Sequence, residues 1–360
     1  MEKKKILIVA GEASGDLHGA NLVRSLKKER NIDFFGIGGE KLRAQGVEIL
    51  ADIEKISVMG FFEVLFKIPY LYLIYKKILK KIKKEKTDLA ILIDYPGFNF
   101  ILMKKLYHLG VPVVYYICPQ VWAWKKERVK LLKAYTKKRL VIFPFEEEFF
   151  KKEGVEAIYV GHPLLDIMEK IEHMEENKIK IGIFPGSRKG EIKRILPEML
   201  KICQYLKENL EKVEFYIKIY KPLKDFIYKR LKKFPLDFKQ IEEVTPLTFS
   251  LMTSGTVTLE NGLYLNPGVV LYKLNPLTYH LLKNKVKTKY ISITNILLNE
   301  MVYEEFLQED ARASKIKDFV LNLVQDKEKL KEKREKLSRI QEILKKGAVE
   351  KAKEEILKLI

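Results

Sequence analysis

The sequence predicts an α/β chain made of two doubly wound parallel sheets in tandem, and three observations predict it. Short, unbroken β-rich runs alternate with longer helical patterns; one strand–turn–helix plan occurs twice; and the chain closes on amphipathic helices. Runs of this kind are what strands buried on both faces look like.

The first half carries "KILIVA" (5–10), "DFFGIG" (33–38), "DLAILI" (88–93), "PVVYYI" (112–117), "RLVIF" (139–143) and "AIYVG" (157–161). Near residue 178 the pattern restarts. "KKKILIVAGEASGD" (3–16) and "KIKIGIFPGSRKGE" (178–191) share a basic lead, an apolar strand, a turn rich in Gly and Ser and an acidic residue opening a helix. Two such starts predict two Rossmann-like domains. The second half continues with "VEFYIKI" (213–219), "TFSLMTS" (248–254) and "GVVLY" (268–272). The charged stretch "DIMEKIEHMEENKIK" (166–180) lacks strong β signals and reads as the linker. Residues 326–357 are almost all Lys, Glu, Leu and Ile, with apolar positions near a 3.6 period, so they read as one or two terminal helices, packed on their own domain or, in the alternative, pairing as a coiled coil. The expected division is 1–167, 168–325 and a helical tail 326–360, the tail possibly returning to the first domain.

A chain of 360 residues, 47% hydrophobic, has the length for two cores. Its 68 Lys and Arg against 48 Asp and Glu give +20, a charge suited to phosphates, nucleic acid or acidic lipid. Two cysteines, Cys118 and Cys203, make no disulfide framework and no C-x-x-C pair, so a reducing cytoplasm is expected. The apolar run of "MEKKKILIVAGE" stops too soon for a signal peptide and reads as a first strand. "LYHLGVPVVYYICPQVWAW" (106–124) holds no Asp, Glu, Lys or Arg, but its prolines, Gly110, His108 and Gln120 argue against a membrane span.

In open α/β sheets ligands bind beyond the carboxyl ends of strands, where loops open helices. "GEASGDLHG" (11–19) is neither a dinucleotide fingerprint nor a P-loop; Gly11, Ser14 and Gly15 let a substrate approach the backbone, Asp16 reads as an N-cap or a catalytic carboxylate, and His18 alone proves little. "LAILIDYPGFNF" (89–100) ends a buried strand on Asp94, which suits a general base or a turn residue bonded to its own backbone. "FPGSRKGE" (184–191) offers backbone donors at Gly186 and Ser187 and a guanidinium at Arg188, a combination that fits a diphosphate; a surface arginine at a helix start is the other reading. "TSGTVTLENG" (253–262) makes a second anion-binding turn, with Glu260 a helical turn beyond it, placed to bind vicinal ribose hydroxyls.

Together these stretches resemble the lipid-A-disaccharide synthase family of GT-B glycosyltransferases. The resemblance rests on "GEASGDLHGA" (11–20), "VMGFFEVL" (58–65), "IDYPGFNF" (93–100), "PQVWAWKKERV" (119–129), "FPFEEEFF" (143–150), "VGHPLLD" (160–166), "PGSRKGE" (185–191), "SGTVTLE" (254–260) and "TNILLN" (294–299), in order along nearly the whole chain. It implies two Rossmann-like domains facing a cleft. It also implies a UDP-activated 2,3-diacylated glucosamine as donor, a diacylated glucosamine 1-phosphate as acceptor, a β-1′,6-linked product and released UDP. By position, Asp94 matches the proposed catalytic carboxylate, Arg188 the diphosphate arginine and Glu260 the ribose-binding acid; Ser254, Gly255, Thr256 and Asn295 fall in motifs near UDP. Where many members read a Pro-Glu-Leu-Leu-Gln-like segment this chain has "YEEFLQED" (303–310), which keeps Gln308 and leaves its contact in doubt.

The expected mechanism is inversion by direct displacement, with Asp94 taking the proton of the acceptor's 6-hydroxyl, Asp16 as the substitute base, and no metal or cofactor. Gly15, His18, Asn99, Trp122 and Trp124 are the expected acceptor side. The two tryptophans either form an apolar wall or pack under the helix that follows. "VMGFFEVLFKIPYLYLIYKKILKKIKK" (58–84) runs from apolar to basic, as a segment leaning on anionic lipid does, and equally as a core helix with a solvated tail. Peripheral attachment to the cytoplasmic side of the inner membrane is therefore expected, and a homodimer is a further candidate partner. The rivals are other UDP-sugar enzymes of this architecture, such as the peptidoglycan N-acetylglucosaminyltransferase or a UDP-sugar 2-epimerase, and a basic nucleic-acid-binding protein. No nucleic-acid module is visible, and Lys and Arg are interleaved with Glu, so no nucleic-acid partner is expected.

Overall fold

The computed structural model describes residues 3–56, 61–123, 126–168, 178–276, 279–280 and 288–360. The chain divides into two compact units, one of Met1–Met168 with Leu344–Ile360 and the other of Glu169–Ile343. Most of the expected linker, residues 169–177, lies outside the described residues, as does Trp124.

The first unit is a seven-stranded sheet of β1 (Lys4–Ala10), β2 (Ile32–Gly38), β3 (Glu48–Asp52), β4 (Leu89–Ile93), β5 (Val113–Tyr116), β6 (Lys138–Val141) and β7 (Ile158–Tyr159), in the order β3-β2-β1-β4-β5-β6-β7. Every pairing is parallel. The central strands are the unbroken apolar runs: Ile6 to Ala10 and Leu89 to Ile93 are wholly buried. Each side chain of that size contributes roughly 1.5–3 kcal/mol when enclosed, and only an apolar run collects it on both faces. The connecting helices are α1 (Ala13–Glu29), α2 (Glu40–Ala44), α3 (Ile53–Ile56), α4 (Phe61–Lys84), α5 (Pro96–His108), α6 (Arg128–Tyr135) and α7 (Pro144–Lys152). Helix α4 buries one stripe, Ile74, Ile78 and Ile82, against the core and turns Ile68, Tyr72 and Leu73 outward. No described helix is long and apolar enough to cross a membrane.

The second unit repeats the plan with β8 (Ile179–Phe184), β9 (Val213–Lys218), β10 (Phe238–Ile241), β11 (Phe249–Met252), β12 (Gly268–Tyr272) and β13 (Glu304–Leu307), ordered β10-β9-β8-β11-β12-β13 and all parallel. Its helices among the described residues include α8 (Lys189–Asn209), α9 (Lys224–Leu231), α10 (Thr256–Leu263), α11 (Ile293–Leu298), α12 (Ala313–Gln325) and α13 (Lys327–Ile343). Helix α13 buries Leu330, Leu337 and Ile340 and anchors Lys333 on the Glu304 carboxylate at 2.8 Å.

The last helix, α14 (Ala348–Leu357), belongs to the first unit, so the tail expected as one block from 326 divides at Leu344. Ala348, Ala352 and Ile356 are buried. Asp166 accepts from Gly347 N at 2.6 Å and Val349 N at 2.9 Å, which caps the helix, and Ser25 of α1 donates to Glu350 at 2.7 Å.

In each sheet the strand order reverses once, between β1 and β4 and between β8 and β11. At such a switch point the loops on either side run in opposite directions and leave a crevice beyond the strand ends.

Candidate active site

Asp94 follows β4 at the first unit's switch point and is half-buried. It and Tyr95 both take left-handed backbone, at φ 41° and 48°. Such residues cost about 1–3 kcal/mol each and persist only where their surroundings over-determine them. Here the Asp94 carbonyl accepts from Asn99 Nδ2 at 2.7 Å and the Tyr115 hydroxyl at 2.6 Å, and its N–H donates to Ile117 O at 3.3 Å. Pro96 then opens α5 at its first turn. Gly11 completes the junction: a Cβ there would stand 2.1 Å from the Tyr95 ring, so only glycine lets the loop after β1 close on the loop after β4.

Several residues read from sequence as substrate contacts are buried in the first unit. Asp16, weighed as a second catalytic carboxylate, is 3% exposed and accepts from Gly39 N, Lys41 N and Leu42 N at 2.6, 3.0 and 3.2 Å. It caps α2 rather than its own helix. Gly15 is buried within α1, and Asn99 is wholly buried as the brace of the Asp94 turn. His18 is buried with its Nδ1 unpartnered, and burial lowers its pKa to about 4. His162, after β7, is lowered to about 3 by burial and by the nearby His18.

Trp122 lies in the loop after β5, next to the Asp94 loop in sheet order. Its ring meets Phe145 edge-on at 5.0 Å, and its indole N–H donates to Glu146 at 3.0 Å. The sequence reading passed over Glu146, although Pro at the first helical position with Glu two residues later is a helix-start signature.

In the second unit the loop after β8 holds Gly186, Ser187 and Arg188. Gly186 has φ +95°, and a Cβ on it would come within 2.9 Å of Thr253, so it joins the loops after β8 and β11. Ser187 and Arg188 are exposed, and Arg188 Nη1 lies 3.1 Å from Glu191. Across the switch point, Gly255 caps α10 with open space where a side chain would stand, Thr256 is exposed beside it, and Ser254 Oγ donates to Ile291 O at 2.8 Å. Glu260, one turn on, pairs with Lys218 at the end of β9, 2.7 Å away. Together these loops present backbone donors, a helix N-terminus and a guanidinium to anionic oxygen, with a carboxylate near enough for a polyol.

Asn295 is bonded within its own unit. It is wholly buried; its oxygen accepts from Val302 N and Tyr303 N, and its amide donates to Tyr303 O and Glu305. Gln308 accepts from Leu274 N at 2.6 Å and lines a recess of about 550 Å³ with Arg194, Lys201, Lys273 and Arg312.

Two doubly wound parallel units in tandem, each with polar turns at its switch point, are the architecture of GT-B enzymes. The putative UDP-N-acetylglucosamine 2-epimerase from Listeria monocytogenes shares this fold at TM-score 0.67 and 12% identity, covering 100% of this chain and 96% of its own. The Acinetobacter baumannii MurG structure does so at 0.61 and 11%, covering 99% of each. The family model for lipid-A-disaccharide synthetase matches residues 6–360, and the lipid-A-disaccharide synthase of Geobacter metallireducens is 38% identical over 360 residues, 96% of this chain and 94% of its own. The chain belongs to the lipid-A-disaccharide synthase family, and is a hexosyltransferase of lipid A biosynthesis.

Proposed function

We propose that the second unit holds a UDP-activated 2,3-diacylglucosamine and the first a 2,3-diacylglucosamine 1-phosphate, and that the β-1′,6 bond forms by direct inverting displacement. Asp94 takes the proton of the acceptor 6-hydroxyl as that oxygen attacks the anomeric carbon. The bond from that carbon to the diphosphate breaks, and the charge left on UDP is met by Arg188 and by the helix N-termini after Gly186 and Gly255. Glu260 binds the ribose hydroxyls. The observation that carries this reading is the position of Asp94, Arg188 and the Gly255 turn, each at a reversal of strand order. Incubating the protein with both substrates should yield disaccharide 1-phosphate and UDP in equal amounts by mass spectrometry; release of UDP without disaccharide would contradict the acceptor assignment.

The same reading places the chain on the cytoplasmic face of the inner membrane. Diacylated substrates live in the bilayer, and the outer face of α4 offers Ile68, Tyr72 and Leu73 followed by exposed Lys76, Lys77, Lys80, Lys83 and Lys84. Apolar side chains entering the headgroup layer beside lysines facing anionic lipid form a peripheral attachment site, each lysine adding about 1 kcal/mol near the surface. Flotation with vesicles containing phosphatidylglycerol should be strong at low salt and fall steeply at 0.5 M. Equal flotation with purely zwitterionic vesicles would remove the electrostatic part.

A further inference from the structure

Glu146 is 1% exposed, yet it is a carboxylate with three donors. One oxygen accepts from Ile142 N and Phe143 N, both at 3.1 Å, where β6 passes into α7; the other accepts from the Trp122 indole N–H at 3.0 Å. Burial pushes its pKa up to about 7, against the pull of those donors, and the nearby Asp94 carboxylate pushes the same way. A group so costly to bury is retained where it fixes something an apolar residue would leave loose.

What it fixes is the loop after β5. That loop leaves its strand through Ile117, in left-handed backbone at φ 58°, whose carbonyl accepts the Asp94 N–H. Cys118 N then donates to Leu140 O of β6 at 3.3 Å, and Trp122 reaches Glu146 on one side and Phe145 on the other. Phe145 stacks on Phe143 at 5.6 Å, and Phe143 lies against His162 at 5.3 Å. Asp94, Ile117, Trp122 and Glu146 thus form one connected chain across the ends of β4, β5 and β6.

We propose that Glu146 is the positioning residue of the acceptor half-site: by tying the Trp122 indole to the start of α7 it holds the loop on which the Asp94 backbone leans. The catalytic consequence rests on the role proposed above for Asp94; the anchoring of Trp122 does not. Glu146→Gln puts an NH₂ group where an acceptor oxygen stood. The amide keeps either the two backbone donors or the indole, so the bridge between them is cut.

Trp122 is one of two tryptophans in the sequence, so with the other replaced the placement of this loop is directly visible. In a Trp124→Phe background, Glu146→Gln should shift Trp122 emission to the red and raise its quenching by acrylamide at least twofold. In the native chain the same substitution should raise the acceptor KM and lower kcat, together by about 10–100-fold, the effect of a displacement near 1 Å, while the donor KM stays put. Trp122→Phe, which leaves the α7 cap intact, should give the same kinetic split, and the double variant should lose no more than either single one. Unchanged emission and quenching in a folded Glu146→Gln protein would overturn the anchoring. Altered fluorescence with native kinetics, or multiplicative losses in the double variant, would overturn the positioning role. Should Glu146→Gln not fold, native kinetics for Trp122→Phe would overturn it alone. If the native chain transfers no sugar, the Asp94 assignment fails, and the fluorescence comparison still decides the anchoring.

Discussion

Asp94→Asn is expected to lower turnover by about 10²–10⁴-fold, the usual contribution of a general base, while UDP binds as tightly as before. The substitution is unusually clean. Asparagine is nearly isosteric and is among the few residues that accept left-handed backbone, so the φ of 41° and the bonds from Asn99 and Tyr115 to the residue 94 carbonyl should survive. Loss of turnover in a variant with native melting behaviour then reports proton acceptance rather than misfolding. Arg188→Ala is the complementary experiment. Its guanidinium is about half exposed, so a charge-assisted bond to the diphosphate is worth about 1.5–3 kcal/mol, and UDP affinity should fall about 10–150-fold. Near-native turnover in the first variant, or undiminished UDP affinity in the second, would remove that residue from the proposed mechanism.

The second large effect is on acid stability of the first unit. His18 and His162 are held neutral, with pKa values of about 4 and about 3 against 6.5 when unfolded. Between pH 6.5 and 4 the unfolded chain therefore binds up to two protons that the folded chain refuses. The stability gained by keeping both rings neutral is fully present above pH 6.5 and is lost as pH falls, at up to about 2.7 kcal/mol per pH unit for two protons. Glu146 acts with the opposite sign. Its raised pKa of about 7 means that the folded chain holds a proton the unfolded one releases, which favours folding at low pH and ceases to do so above 7. Between about pH 4.5 and 6.5 the two histidines less one glutamate leave about one proton, or roughly 1.4 kcal/mol per unit. Denaturant midpoints followed by tryptophan fluorescence, which reports this unit alone, should fall with acid; Glu146→Gln should steepen the fall and His162→Asn should flatten it. An acid limb unmoved by His162→Asn would show that carboxylates, not the buried imidazoles, set it.

The central strands were legible because enclosure on both faces demands unbroken apolar runs. The strands the sequence reading passed over, β3, β10 and β13, all lie at sheet edges, where one side meets solvent and polar residues such as Glu304, Glu305, Lys239 and Gln240 are tolerated. "YEEFLQED" thus read as a departure from a motif when it also contains a strand. The switch-point loops were legible from glycine and proline. What the polar side chains near them face was not: Asp16, Asn99 and Asn295 lie within the helices that follow strands, and bond there to backbone groups of other segments. A carboxylate capping a distant helix and one awaiting a substrate look alike in sequence, since the difference lies in contacts far apart along the chain. Lys218 was invisible for the same reason, meeting Glu260 across 42 positions.

The return of α14 to the first unit has a consequence for how the molecule is made. The second unit is drawn from one uninterrupted stretch, whereas the outer side of α1 stays uncovered until α14 is in place. Ser25 waits for Glu350, and Lys138 for Glu355, across more than half the length of translation. The unit that comes first in the sequence needs the segment that follows the second, so released chains truncated before residue 348 should expose the first unit to proteases and chaperones while the second, whose residues are all present, stays protected.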